Sequence, residues 1–130
     1  MTYTLVFDAN GGVGGWTREY AKNATVPVPT VTRLGYNFNR WNPAIAGNTV
    51  IATENKTWQA LWDRIYYSIT YNMNGHGSAP TTNQYTVEDE YTPPDRTATG
   101  YTFKGWEPEK IARGSTGDKT FTAFWEANKY

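Results

Sequence analysis

The chain has 130 residues and a formal net charge of +0, because 12 Lys and Arg are balanced by 12 Asp and Glu. It lacks the basic excess that nucleic-acid binding requires, so we expect no nucleic-acid partner. The absence of cysteine excludes disulfides, thiolate zinc sites and cysteine nucleophiles, and a single histidine excludes histidine-rich metal sites.

Hydropathy and composition further limit the kind of protein and the type of secondary structure. No apolar run approaches the roughly 18 residues of a transmembrane helix, so we expect no membrane insertion. The start, MTYTLVFDAN, lacks the basic and apolar regions of a signal peptide, so any export signal is expected outside this sequence. Aromatic residues make up 16%, and 12 Gly and 7 Pro punctuate the chain, which favours strands and turns over helices.

The first predicted element is a half-buried strand in YTLVFDAN. Tyr3, Leu5 and Phe7 point to one face and alternate with residues that point to the other. The Asn-Gly pair at 10–11 then favours a turn with positive φ.

A weaker second strand is predicted over 17–22. It follows the glycine-rich stretch GGVGG and Trp16, and it contains Tyr20. An exposed tryptophan on a glycine-rich loop suits sugar stacking or protein contact, so Trp16 and Tyr20 are the candidate ligand contacts. The alternative is that Trp16 packs locally over the edge of the sheet.

A proline-marked segment and a third strand follow. The segment at 26–35 contains prolines without the N–H of a central strand, which predicts irregular structure or one short helical turn. In the third strand, GYNFNRW, Trp41 has the opposite parity from Tyr36 and Phe38, so both faces carry aromatics unless a bulge re-aims one. Gly105 favours such a bulge in the second copy of this block only.

The last strand of the pattern is TWQALW, and the whole pattern then repeats. The matching blocks are 3–12 with 67–76, 35–43 with 100–108, and 55–63 with 118–126. Three blocks in the same order predict a tandem repeat. We place module one at 1–63, a short linker at 64–66, module two at 67–126, and a tail or next linker at 127–130. A linker this short predicts modules held end to end with limited freedom.

The recurring aromatic rows are interpreted as core rather than ligand platforms. A module of about 60 residues buries little surface, and each large aromatic side chain adds roughly 150–250 Å² of burial. The predicted core residues are Tyr3, Leu5, Phe7, Tyr36, Phe38, Trp41, Trp58, Trp62, Tyr67, Ile69, Tyr71, Tyr101, Phe103, Trp106, Phe121 and Trp125.

The pattern YTLVFDANGG…GYNFNRW…KTWQALW and its second copy resemble the Listeria–Bacteroides repeat, the family that includes the B-repeat of internalin-type surface proteins. The resemblance covers nearly the whole chain twice and is most specific in GYTFKGW. Together with the composition, it implies a mostly β fold of two tandem small β-grasp-like modules. Each would be a roughly four-stranded sheet with at most a short helical turn.

The resemblance implies a non-enzymatic module of a secreted or wall-attached bacterial protein, acting as a spacer, stalk or adhesion-associated unit beside other domains. The alternative is a specific glycan- or host-protein-binding module that uses the loop aromatics of module one. Exposed edge strands also predict self-association. We expect no catalytic, metal or cofactor site. His76 has no histidine or cysteine partner, and of the acidic residues in module one that could serve a hydrolase, only Asp63 has an acidic counterpart, Glu126. Calcium binding at the Asp- and Asn-rich turns stays open, although no EF-hand spacing is present.

Overall fold

The computed structural model describes residues 1–129, and these residues form strands and turns without any helix. The chain divides into two compact units, the first Met1–Arg64 and the second beginning at Ile65. Among the described residues, no helix has the length and apolarity needed to cross a membrane.

Module one contains six strands. They are β1 (Thr2–Asp8), β2 (Trp16–Ala21), β3 (Thr25–Pro27), β4 (Tyr36–Asn42), β5 (Thr49–Ile51) and β6 (Lys56–Arg64). Four of them form one sheet in the order β2-β1-β6-β4, and β3 pairs with β5 in a small antiparallel ribbon. The central pair, β1 and β6, is parallel, whereas β2 and β4 lie antiparallel at the two edges.

Module two repeats this sheet with less regular structure around it. Its strands are β7 (Tyr67–Asn72), β8 (Gln84–Tyr85), β9 (Tyr101–Glu107) and β10 (Lys119–Ala127), in the order β8-β7-β10-β9. The parallel pair is again formed by the first and last strands. The edge strand β8 has only two residues, and a single bridge between Tyr91 and Ile111 stands in place of a second ribbon.

The alternation in the sequence explains which face of each sheet is buried. Leu5 and Phe7 on β1 lie beside Trp58 and Ala60 on β6, and all four are buried. Because one face of the sheet is covered and the other faces solvent, apolar residues recur with a period of two. Ile69, Phe121 and Ala123 form the corresponding centre of module two.

The predicted bulge is present in both modules, so its restriction to the second copy is wrong. In module one, Phe38 pairs with Trp62 and Arg40 with Leu61, which leaves Asn39 as the extra residue. The bulge turns Phe38 and Trp41 to the same face, with ring centroids 5.5 Å apart. A bulge of this kind does not require a glycine, because the extra residue can adopt an ordinary φ.

In module two the extra residue is Lys104, and the adjoining Gly105 has a φ of 125°. Phe103 and Trp106 accordingly meet at 5.3 Å. Both copies therefore bring the same aromatic pair together with a bulge, but only the bulge of module two adjoins a glycine with positive φ.

The mostly β class and the two tandem four-stranded sheets are confirmed. The proline-marked segments contain no helical turn within the described residues, and one of them contributes the β3 strand that the sequence did not predict. The β-grasp-like relationship stays a prediction.

Candidate functional site

Trp16 opens strand β2 and is half-buried, so the expectation of an exposed loop tryptophan is wrong. Its ring meets Phe7 edge-on at 4.8 Å, and Tyr20 lies 5.9 Å away on the same strand. The guanidinium carbon of Arg18 lies 4.4 Å above the indole ring. This arrangement is the local packing over the sheet edge that the alternative described. A ligand-contact role for Trp16 and Tyr20 stays a prediction.

The glycine-rich loop before Trp16 is explained by close packing. A Cβ at Gly12 would overlap the Thr32 carbonyl oxygen and the Trp62 ring, and one at Gly15 would overlap the Phe7 carbonyl oxygen. Val13 bridges to Thr32 through two backbone hydrogen bonds, of 2.8 and 3.1 Å. The loop therefore lies against its own module, and glycine is required where backbones approach closely.

The predicted core residues fall into three groups by exposure. The buried group contains Leu5, Phe7, Trp41, Trp58, Ile69, Trp106 and Phe121. The half-buried group contains Tyr3, Tyr36, Trp62, Tyr67, Tyr71, Tyr101, Phe103 and Trp125. Phe38 is 40% exposed, so its placement in the core is wrong. It lies on the edge strand β4, where its ring meets the rings of Trp41 and Trp62 edge-on.

The exposed side of Phe38 borders an open depression of about 640 Å³ in module one. We call it the Phe38 groove, and it is lined by residues 28–31, 38–41, 44–45 and 47–48. Its floor includes the buried Val31 and Trp41, and its rim carries Arg40 and Asn48. An apolar floor with a few polar groups is the usual composition of a small-ligand site.

The two modules stack different side chains on the tyrosine that begins β4 in module one and β9 in module two. In module one the guanidinium carbon of Arg33 lies 3.9 Å from the centre of the Tyr36 ring. In module two the imidazole of His76 stacks on Tyr101, with centroids 3.8 Å apart. His76 thus takes part in packing, and among the described residues no group of three or more His, Cys, Asp or Glu could hold a metal ion.

Module two also pairs the hydroxyls of two half-buried tyrosines. The Tyr71 hydroxyl lies 2.6 Å from that of Tyr91 and donates to the Thr82 carbonyl at 2.6 Å. Burial, with a further contribution from Tyr91, raises the pKa of Tyr71 far above its ordinary value. Burial likewise raises the pKa of Tyr85, whose hydroxyl donates to the Gly117 carbonyl.

Side chains extend the parallel pair of module one at both ends of its ladder. At the start, the side-chain oxygen of Asn55 accepts the Thr4 backbone N–H at 2.8 Å. At the finish, the side-chain amide of Asn10 donates to the Ala60 carbonyl at 2.9 Å. Four pairs of opposite residues lie between these two contacts, from Leu5 and Lys56 to Asp8 and Gln59.

Module two repeats these contacts with one change of chemistry. The Asp118 carboxylate accepts the Ser68 backbone N–H at 2.9 Å, and the Asn74 amide donates to the Ala123 carbonyl. Asn10 and Asn74 both have positive φ, of 49° and 52°, which directs their amides back over the last strand. The Asn-Gly pairs in the sequence predict these asparagines only as turn residues. An asparagine directly before a glycine recurs in both copies, at Asn10 and Asn74. This recurrence was the signal in the sequence for a role beyond the turn.

Comparison with known proteins gives the family. Residues 3–60 and 67–123 each match the family model described as the Listeria-Bacteroides repeat domain. The chain belongs to the Listeria-Bacteroides repeat family. One copy lies in each module, so the resemblance inferred from the aromatic blocks is confirmed, and the chain is a tandem pair of Listeria-Bacteroides repeats.

Two relatives from Evansella cellulosilytica resemble the repeat pair. One, named as a Gly-rich membrane protein, is 31% identical over 146 residues, covering 98% of this chain and 17% of its own length. The other, named as a membrane protein, is 31% identical over 125 residues, covering 86% of this chain and 19% of its own. The repeat pair therefore spans about a fifth of these relatives.

A solved structure of two tandem domains also aligns with the repeat pair. It is described as Streptococcal High Identity Repeats in Tandem (SHIRT) domains 3-4 from a cell surface protein. The alignment covers 97% of this chain and 98% of the other, with 13% identity and a TM-score of 0.33. A score this low carries no argument about fold or function.

Proposed function

We propose that the two repeats act as a non-catalytic spacer in an extracellular bacterial surface protein, holding a neighbouring domain away from its anchor. The observation that carries this proposal is the parallel pairing of the first and last strands in each repeat. Parallel neighbours begin at the same end of a sheet. The chain therefore enters a repeat at one end of its sheet and leaves at the other.

The strand register gives the length that one repeat spans. Leu5 lies opposite Lys56, so Thr2 precedes that pair by three residues and Arg64 follows it by eight. At about 3.3 Å per strand residue, the two ends are separated by roughly 36 Å along the sheet. A module whose ends lay side by side would add far less length for the same number of residues.

The membership and the relatives support an outer location. The Listeria-Bacteroides repeats occur here in tandem, and two relatives that contain similar segments are named as membrane proteins. These relatives are much longer than the repeat pair, which is consistent with repeats that lie beside other domains. We infer that the partners of the repeats are the other domains of the same surface protein.

Display on a bacterial surface tests the spacer. An epitope tag would be joined to a wall-anchoring segment through no repeat, module one alone, or both modules. We expect the height of the tag above the wall, measured by super-resolution microscopy, to rise with each module. Equal heights in the three strains would overturn the proposal, provided that surface labelling shows equal display.

A binding role is the second candidate, and the Phe38 groove favours it. Exposed aromatic rings next to polar side chains suit the apolar and hydroxyl faces of a sugar, and Arg40 and Asn48 supply polar groups at the rim. A glycan is therefore the class of ligand that we infer for this groove. A ligand that reaches Trp16 or Tyr20 instead would support the loop-aromatic alternative.

The binding role is tested by titrating a glycan panel against the unchanged chain, Phe38→Ala, and Trp16→Ala, with tryptophan emission as the readout. Phe124→Ala is the matched control, because Phe124 is a 48% exposed aromatic in module two. Loss of binding only in Phe38→Ala supports the groove. If no glycan perturbs the emission of the unchanged chain, the glycan proposal fails.

We also propose that the chain self-associates through its edge strands, because any open sheet has edge strands with unpaired backbone groups. The outer strands of module one, β2 and β4, each lack a second named partner strand among the described residues. Such edges offer backbone N–H and C=O groups to another strand. Sedimentation that shows a strict monomer at high concentration would contradict it.

A further inference from the structure

The strands that connect each repeat to the rest of the chain are also the two that lie together at the centre of its sheet. In module one these are β1 and β6, and in module two β7 and β10. Each pair is parallel and shares four paired residues. Tension applied to the chain on both sides of a repeat therefore acts on the first strand toward its start and on the last strand toward its finish.

We propose that this parallel pair is a mechanical clamp that keeps each repeat folded when the surface protein is pulled. The inference rests on the proposed spacer function, since a spacer between an anchor and an attached domain transmits any force between them. The two strands slide past each other only if the bonds between them break together. An antiparallel pair pulled from its adjacent ends opens one bond at a time, whereas tension loads the bonds of this parallel pair together. We therefore expect the parallel pair to resist force better.

Side-chain hydrogen bonds lengthen the clamp beyond the backbone ladder. In module one the Asn55–Thr4 bond precedes the four paired residues, and the Asn10–Ala60 bond follows them. The Trp62 indole adds a bond of 3.0 Å to the Ala9 carbonyl. All of these contacts join the two strands or their immediate extensions, so sliding of β1 against β6 strains each of them.

Both repeats conserve this arrangement between them although most of their residues differ. Asn74, Asp118 and Trp125 make the corresponding bonds in module two. The asparagine and tryptophan are unchanged at these places, whereas the buried Trp58 gives way to Phe121. Packing alone tolerates that exchange, so retention of the donors indicates that the bonds matter.

Single-molecule pulling of the full chain tests the clamp by geometry. The chain has no cysteine, so introduced cysteines give unique attachment points. Force applied through handles at the two ends of the chain pulls β1 and β6 in opposite directions along their length. Handles at Met1→Cys and Lys22→Cys instead peel β1 from β2, since Thr2 lies opposite Ala21. We expect module one to unfold at a clearly higher force in the first geometry at the same pulling speed.

Variants then test the side-chain bonds. Asn10→Asp keeps a residue that tolerates positive φ but removes the donor, and Asn55→Ala removes the acceptor at the other end of the ladder. Each is expected to raise the unfolding rate under load about fivefold, the equivalent of one ordinary hydrogen bond. Asn23→Asp is the matched control, because Asn23 also has positive φ, 68°, but lies outside the β1–β6 pair.

The outcomes separate the clamp from the spacer. Equal unfolding forces in the two geometries would overturn the clamp, and so would an equal effect of Asn23→Asp and Asn10→Asp. If Asn10→Asp does not fold, Asn55→Ala carries the same comparison. The height of a displayed tag does not depend on the unfolding force, so a clamp that fails leaves the spacer standing. A spacer that fails likewise leaves the pulling result unchanged.

Discussion

The indole N–H of Trp62 donates to the carbonyl oxygen of Ala9 at 3.0 Å and thereby ties the last strand of module one to the turn after the first. Trp125 makes the same bond to the Met73 carbonyl at 2.9 Å. The ring of each tryptophan also packs against its own core. This position therefore requires both the volume and the donor of tryptophan, which no other side chain combines.

Trp62→Phe should keep most of the ring packing and leave the Ala9 carbonyl without this partner. We expect the free energy of unfolding of module one to fall by about 1–3 kcal/mol. Hydrogen exchange resolved by peptide reports each module separately. Trp125→Phe is the matched variant and should affect module two by a similar amount. Unchanged protection of module one in Trp62→Phe would contradict the prediction.

Gly12 and His76 occupy the same place in the two repeats, yet they should not be exchangeable. Gly12→His would drive its Cβ into the Thr32 carbonyl, so we expect module one to lose about 1–3 kcal/mol or fail to fold. His76→Gly removes the stacking on Tyr101 and an edge-on contact with Trp125, which should cost module two about 0.5–1.5 kcal/mol. Chemical denaturation of both variants checks the order. A smaller loss for Gly12→His would show that the loop can move aside.

Alkaline pH should weaken module two through Tyr71. Its pKa is raised in the folded protein by burial and by Tyr91, whereas in the unfolded chain it is near 10. Above about pH 10 the unfolded chain releases a proton that the folded module keeps, so the free energy of unfolding falls as the pH rises. Below that pH the contribution is fully present. Tyr85 acts in the same direction.

The measurement is the denaturation midpoint of module two at pH 8 and pH 11. Tyr71→Phe should reduce the loss of stability between pH 8 and pH 11, because it removes the ionisable hydroxyl. The fold should accept phenylalanine here, since module one carries Phe7 at the corresponding place. Tyr66→Phe, at a 65% exposed tyrosine, controls for the removal of a hydroxyl. An equal loss in the unchanged chain and in Tyr71→Phe would exclude Tyr71 as the cause.

Gly105→Ala should strain the bulge of module two. The glycine has a φ of 125°, where an L side chain is disfavoured, although a Cβ there would meet nothing within 4 Å. The expected cost is therefore backbone strain of about 1–3 kcal/mol. Arg40→Ala is the comparison in module one, because Arg40 stands at the same place without positive φ. Its cost should stay within about 0.5 kcal/mol. Thermal denaturation distinguishes the two.

Much of the repeat could be predicted because local pattern and burial agree there. The strands that contain Leu5, Phe7, Trp58 and Ala60 alternate cleanly, and one buried face fixes that alternation. Trp16 was misplaced because glycine-rich sequence is typical of exposed loops. Here the glycines are required by the close approach of Thr32 and Phe7 backbone atoms, which only the fold reveals.

Phe38 and the candidate groove could not be predicted for a related reason. Parity places Phe38 and Trp41 on opposite faces, but the bulge at Asn39 brings them to the same face. No glycine at this bulge marks it in the sequence. Being on an edge strand then leaves Phe38 uncovered on one side. Position within the sheet depends on strand order, which residue spacing alone does not determine.

Each of the two cores consists only of residues from its own repeat, among the residues that the structure describes. In solenoids, by contrast, a single unit cannot bury its apolar face without its neighbours. Unequal recombination within a gene of such repeats would therefore add or delete a complete folding unit. The number of copies, and with it the length of the protein, could change between strains in single genetic events without exposing a core.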